Sequence, residues 1–244
     1  MLLYVGLLLS AIVIPVLGKD RSLDDLTDSV DPAWPLIRQW ISEANRPVDI
    51  IPPPTDQRRE KALQSLQVTT RSTMGAVVYE SGGLLIDDGW VRVLGAGHSR
   101  LRRSLPEWNE RCGLWGTGRG FLLIGDDVLG GLFAVNGGRL SNDAIGSILY
   151  FAPDSLEWES LDMGYTAFVY WLLSGNLEEF YEKYRWPGWR TDVKHLGGNV
   201  GYSFYPPLWA ISAAFEARSR QEVPMIELWG IQQSLKSKLT GDSG

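Results

Sequence analysis

Phe121-Leu-Leu-Ile-Gly-Asp-Asp127, Gly130-Gly-Leu-Phe-Ala-Val135 and Gly146-Ser-Ile-Leu-Tyr-Phe151 form the stretch on which the fold turns. Each is a short aliphatic and aromatic run bounded by glycine or aspartate, the composition of strands joined by turns. Too few residues separate the runs for a helical crossover, so consecutive strands pair antiparallel. Outward from this centre the same grammar continues in Leu84–Ile86 and Trp90–Leu94, and Met74–Glu80 is also read as a strand. Gly82-Gly83, Asp88-Gly89 and Gly137-Gly138 supply the positive φ angles that tight turns require. Leu101–Gly120 has no clear period and reads as a long loop carrying Trp108 and Trp115.

Helices are expected on both sides of this centre. Asp31-Pro32 carries a capping aspartate followed by proline, and Ala33, Leu36, Ile37, Trp40, Ile41 and Ala44 recur at helical spacing up to about Asn45. Val48–Ile51 reads as extended, and Thr55 as the cap of a helix to about Leu66. Beyond the centre, Tyr165–Leu173 is an apolar helix, and Asn176 caps the next one with Glu179 in capping-box position. Trp186-Pro-Gly-Trp189 makes a turn, and Pro206-Pro207 opens a helix to about Ala217. Ile226–Leu239 is the last helix, with Leu228, Ile231, Leu235 and Leu239 along one face. The pattern predicts one α+β domain over residues 22–244, a central twisted antiparallel sheet flanked by helices.

Residues 1–18 stand apart, because they carry no charged side chain. Three readings fit this lead: a signal-peptide core, a short membrane anchor, or an untypical start placed before a soluble protein. It lacks the preceding Lys or Arg of a signal peptide, and Pro15 interrupts it as a span. Membrane contact is expected only through these residues, if they are retained, and the body reads as cytoplasmic. All the charge that gives the chain its net −6 lies in that body. This balance argues against nucleic acid as a partner, since phosphate backbones select basic surfaces. One cysteine, Cys112, excludes an intrachain disulfide, and two histidines, His98 and His195, give no zinc spacing.

Catalytic templates fit poorly. Gly116-Thr-Gly118-Arg-Gly120 imitates a phosphate loop, but a strand follows where a helix N-terminus should stand. No Gly-x-Ser-x-Gly elbow is present. Cys112 with either histidine is open on spacing alone, against an unreactive loop thiol. Asp87-Asp88 and Asp126-Asp127, each ending a strand, are the best acid–base candidates and carry the alternative reading, a hydrolase. Adjacent residues on a strand point to opposite faces, so one of each pair at most reaches a shared site, and Asx turns compete. Arg100, Arg102 and Arg103 beside His98 form a basic cluster that suits either an anion or solvent. No cofactor and no metal site is expected. Trp34, Trp40, Trp171 and Trp229 fall on helical stripes and read as core, whereas Trp108, Trp115, Trp158, Trp186 and Trp189 suit either a contact face or a cover over the sheet.

The glycine and aspartate spacing of Ile124-Gly-Asp-Asp127, Gly130-Gly131 and Phe133 resembles the central hairpin of the SUKH superfamily. The resemblance continues through Trp158 and Thr166-Ala-Phe-Val-Tyr-Trp-Leu-Leu173, covering about residues 74–182. Over the body, from Asp31-Pro-Ala-Trp34 through Thr69-Thr-Arg-Ser72 to Pro206, the chain resembles a bacterial family of unknown function, in which the lead is not typical. The superfamily resemblance implies an α+β protein without catalytic residues, and many such proteins are immunity proteins that neutralise bacterial toxins by direct contact. The expectation is therefore a non-enzymatic module that binds a protein partner, a bacterial toxin among the candidates. Its acidic balance suits a basic partner. Trp90, Trp158, Asp126 and Asp127 are the expected contact residues, with Arg71 in an ordering role.

Overall fold

A computed structural model describes residues 20–115, 120–210 and 214–240. The lead of residues 1–18 and most of the Gly116–Gly120 loop lie outside the described residues. The first half comprises α1 (Leu23–Leu26), α2 (Trp34–Ser42), β1 (Val48–Ile51), α3 (Asp56–Leu66), α4 (Thr73–Glu80), β2 (Gly83–Ile86), β3 (Val91–Leu94) and α5 (Leu105–Arg111). Then follow β4 (Phe121–Asp127), β5 (Leu132–Asn136), β6 (Ser147–Ala152), β7 (Glu157–Gly164), α6 (Tyr165–Ser174) and α7 (Leu177–Phe180). The chain closes with α8 (Trp189–His195), β8 (Val200–Tyr205), β9 (Ser219–Pro224) and α9 (Met225–Thr240).

β1 to β7 form one antiparallel sheet in sequence order, and β8 and β9 a separate hairpin. Asp87 and Asp88 sit at positive φ (54° and 63°), with Gly89 at 93°, so the β2–β3 turn is built from three left-handed residues. The β4–β5 register shifts between Leu123 and Gly125, leaving Ile124 as a bulge. Gly125 follows because a Cβ there would stand 2.5 Å from the Arg92 carbonyl oxygen. Helices α2, α3, α4 and α6 pack on one another, with α4 against β2 and α6 against β6 and β7, while α9 packs on the β8–β9 hairpin. The architecture is α+β with a flanked antiparallel sheet, as the turn and strand spacing predicts.

Several local expectations are corrected. Met74–Glu80 is helix α4, not a strand: Ser72 Oγ accepts the Gly75 N–H at 3.0 Å, and Met74 to Val78 are all buried, which erases the polar face that would reveal the helical period. The Leu101–Gly120 stretch contains α5, capped by Ser104 on the Glu107 N–H at 3.3 Å and fixing Trp108 inside the core. Helix α2 starts at Trp34, not at the Asp31-Pro32 pair, whose aspartate amide instead donates to Asp28 Oδ1. The described residues after Pro206-Pro207 do not form the expected helix. Arg218 takes the carbonyls of Pro206 and Ala210 at 2.7 and 2.6 Å, oxygens that a helix would use internally. On α9 the inward face runs through Met225, Leu228 and Gln232, so Ile231 is exposed; the Leu239 side chain lies outside the described residues. Trp34, Trp40, Trp171 and Trp229 are half-buried against the core, whereas Trp90, Trp108 and Trp186 are buried in it.

Candidate functional site

The β3–β4 register sets Arg92 opposite Asp126, and both side chains are buried. Arg92 Nε donates to Asp126 Oδ1 at 2.6 Å, and its two Nη atoms donate to the carbonyls of Val200 and Asp127 at 2.7 Å each. Arg103, from the turn before α5, pairs with Asp126 Oδ2 and donates to the Gly198 carbonyl at 2.7 Å. One carboxylate thus serves two guanidiniums inside the protein, and the pair ties the sheet to the segment entering β8. Burial pulls the Arg92 guanidinium below its ordinary value, and Asp126 opposes that shift.

Asp127 faces the other way, as alternation along a strand requires. Its Oδ1 accepts the amides of Leu129 and Gly131 at 2.9 and 2.8 Å, and its Oδ2 accepts the hydroxyls of Tyr150 and Tyr181 at 2.7 and 2.8 Å. Burial pushes this carboxyl above its ordinary value, against those donors and Arg92. Gly131 is required here, since a Cβ would collide with the Tyr150 hydroxyl and Asp127 Oδ2. At the β2–β3 turn, Asp87 pairs with Arg185 and, at 2.7 Å, Arg190, and Asp88 with Arg190 and Lys194 at 3.0 and 3.3 Å. The Asp87–Asp88 and Asp126–Asp127 pairs share no side-chain partner.

The expected contact residues divide. Trp90, Asp126 and Asp127 have 0% exposure and cannot meet a partner from inside the fold. Trp90 packs edge-on against Tyr181 and Trp189, with Arg185 over its ring. Alternating strand positions disguise this, because Asp126 and Asp127 read as polar turn residues until their cross-strand arginine and tyrosines are known. Trp158 is half-buried on β7, against Phe121 and Phe151. Arg71 is exposed and pairs with Asp28 and Asp31 at 3.6 and 3.3 Å, tying the start of the body to the α3–α4 loop. Cys112 contacts neither histidine: His98 Nδ1 meets Ser99 and the Arg100 amide, and His195 Nδ1 meets the Thr191 carbonyl. Partial burial pushes the Cys112 thiol up to about 12, so it stays protonated near neutral pH. Among the described residues, no group of three His, Cys, Asp or Glu side chains could hold a metal ion, and no helix is long and apolar enough to cross a membrane.

Two surfaces among the described residues bear on binding. The first is β7, an edge strand with the exposed acids Glu157, Glu159 and Asp162, and with Asp154 just before it. The second is a cleft of about 810 Å³ where β1, the β2–β3 turn, the Ser99–Arg102 loop and the segment from Val193 to Val200 meet. Arg102 and Lys194 are exposed at its walls, and Arg92 backs it. The basic cluster in the sequence disperses here: Arg103 is buried on Asp126, Arg100 pairs with Asp49, and exposed Arg102 lines the cleft. Lys194 escapes sequence reading because α8 shows no strong period after the Trp186-Pro-Gly-Trp189 turn, and His195 is visible there only as a candidate partner of Cys112.

A model of a protein family of unknown function, DUF2625, matches residues 23–228. A putative uncharacterized protein, YbfG, of Escherichia coli (strain K12) is 46% identical over 220 residues, which cover 90% of this chain and 99% of that protein. An uncharacterized protein of Haemophilus influenzae is 41% identical over 207 residues, 83% of this chain and 90% of its own length. No solved structure matches.

Proposed function

We propose, for a chain that belongs to the DUF2625 family of unknown function, a non-enzymatic role as a protein-binding module with an acidic docking edge. The observation that carries this reading is β7: it ends the sheet and turns Glu157, Glu159 and Asp162 to solvent. An edge strand offers unpaired backbone donors and acceptors to a partner strand. Its acids repel a second copy of themselves and attract a basic surface, which speeds encounter. The aspartates that a hydrolase would need support the binding reading too. Each is already engaged by arginine, lysine, tyrosine or backbone amides. A SUKH-like core, with a basic bacterial toxin as partner, is the finer form of this proposal, and it rests on the hairpin spacing of Ile124 to Phe133.

Affinity capture with the full chain in its native host tests the reading. A stoichiometric basic protein should be recovered by the wild type and lost with Glu159→Lys plus Asp162→Lys. No stoichiometric partner in repeated captures, or equal recovery by the charge-reversed chain, overturns it.

A further inference from the structure

The cleft opposite that edge has the reverse character. Four cationic residues line it, Arg92, Arg100, Arg102 and Lys194, of which buried Arg92 is held by Asp126, and two acidic ones, Asp49 and Asp88. Asp49 is engaged by Arg100, and Asp88 by Arg190 and Lys194, so both acids are already countered. Arg102 pairs with no carboxylate among the described residues. Its Nε reaches only the Ser99 carbonyl, at 3.4 Å, while its backbone amide is held by Asn199 Oδ1 at 2.9 Å. The loop backbone is therefore anchored while the guanidinium is left to serve something else. His195 holds the Thr191 carbonyl through Nδ1, which leaves Nε2 as its other hydrogen-bonding atom. Gly197 adds wall without bulk, since a Cβ there would meet nothing nearer than Val200 Cγ2 at 4.0 Å.

We propose that this cleft is a binding site for a small phosphate monoester, with Arg102 as the principal anion contact and Lys194 as a second donor from α8. The volume lies within the range of small-molecule sites, roughly 300–1,000 Å³. A fork-shaped guanidinium gives directed hydrogen bonds, and an ammonium acts as a point charge with rotatable donors. Donors on two separate elements, the Ser99–Arg102 loop and α8, suit a tetrahedral dianion better than a planar carboxylate, which one arginine fork already satisfies. With Arg92 held by Asp126, Arg100 by Asp49, and Asp88 shared between Arg190 and Lys194, the unbalanced charge of the cleft is that of Arg102, in a chain whose net charge is −6. The site is separate from the β7 edge and goes beyond the binding role proposed there.

Titrations of the full chain with phenyl phosphate at fixed ionic strength test the proposal, read by amide shifts of Gly197, Gly198 and Asn199. Benzoate serves as the carboxylate arm and inorganic phosphate as the arm without an ester group. Saturable shifts confined to the cleft are expected with phenyl phosphate, at least tenfold weaker with benzoate. Arg102→Ala should weaken phenyl phosphate tenfold or more with an unchanged melting temperature, since the side chain is exposed. Lys194→Ala gives a second, independent loss. Benzoate binding as tightly as phenyl phosphate overturns the phosphate assignment. Inorganic phosphate binding as tightly as phenyl phosphate overturns the monoester. Absence of a saturable response, or equal binding by the Arg102→Ala and Lys194→Ala chains, overturns the site itself.

Discussion

The two exposed surfaces at opposite ends of the seven-stranded sheet carry opposite charge. Around β1 and the β2–β3 turn the acids are withdrawn into pairs, and Arg102 and Lys194 reach solvent. Along β7 the acids face outward, with Lys236 on Glu157 at 3.4 Å. A net charge of −6 therefore describes neither end. What differs is where the counter-charges come from. The cleft is assembled from segments far apart in sequence, each bringing cations to strand-end carboxylates, whereas β7 stands at the edge and meets few such segments. Its outer end is also bent: Asp162 sits at φ 51°, and the β6–β7 register shifts there, which hinders strand pairing at that end and leaves Glu157–Ser160 as its regular part.

The largest effect should come from breaking the floor of the cleft. Asp126→Ala leaves Arg92 and Arg103 buried without their carboxylate, and loss of one partner from a buried ion pair costs about 3–5 kcal/mol. Urea unfolding should show that loss. A change below about 1 kcal/mol would mean that the arginines find other partners and that the cleft floor is not fixed by Asp126.

The buried tyrosines should fail next, and at high pH. Tyr150, Tyr165 and Tyr181 are buried, and burial raises each hydroxyl above its ordinary value, with Asp127 adding to the shift on Tyr150 and Tyr181. The unfolded chain releases these protons near the ordinary tyrosine value of about 10, while the folded chain keeps them. Folded protein then holds more protons, so stability is full below that pH and falls as pH rises through it, by about 1 kcal/mol per group per pH unit. The part of the tyrosinate absorbance that belongs to these three buried residues should appear together with unfolding as pH is raised. Ionisation of all three tyrosines in a still-folded chain would contradict their burial.

Cys112 gives a smaller, kinetic contrast. Its thiol is held up to about 12, so alkylation at mildly alkaline pH should run at least tenfold slower in the folded chain than in urea. Equal rates would show that the end of α5 opens freely.

How far these features are legible in the sequence depends on whether the signal is local. The strands from Leu84 to Ala152 announce themselves, because each alternates with glycine or aspartate turns that need positive φ. Helix α4 does not, since its neighbours bury every side and remove the amphipathic period. The β8–β9 hairpin is hidden for another reason: its strands are separated by Pro206 to Arg218, and the pairing that joins Val200 to Pro224 is long-range. The same division holds at the site. Arg100 and Arg102 are visible as a basic cluster, but Arg103 turns inward to an aspartate 23 residues away. Neither Lys194 nor the Asp126 pairing can be assigned until the sheet brings those segments together.

The finest test asks whether β7 serves stability or recognition. Glu159 and Asp162 are exposed and pair with no cation among the described residues; their side-chain hydrogen bonds are with Ser155 and Ser160. Replacing both with lysine should therefore change stability by no more than about 0.5 kcal/mol, the range of surface substitutions away from special features. Partner capture should disappear in the same chain, because reversal of charge on an approach surface turns steering into repulsion. At the cleft the relation is inverted, since the charges on its floor hold the fold together and only its rim is free to vary. A loss of more than about 1 kcal/mol on reversing the β7 acids would place them among the structural charges, and the two ends of the sheet would then differ in sign alone.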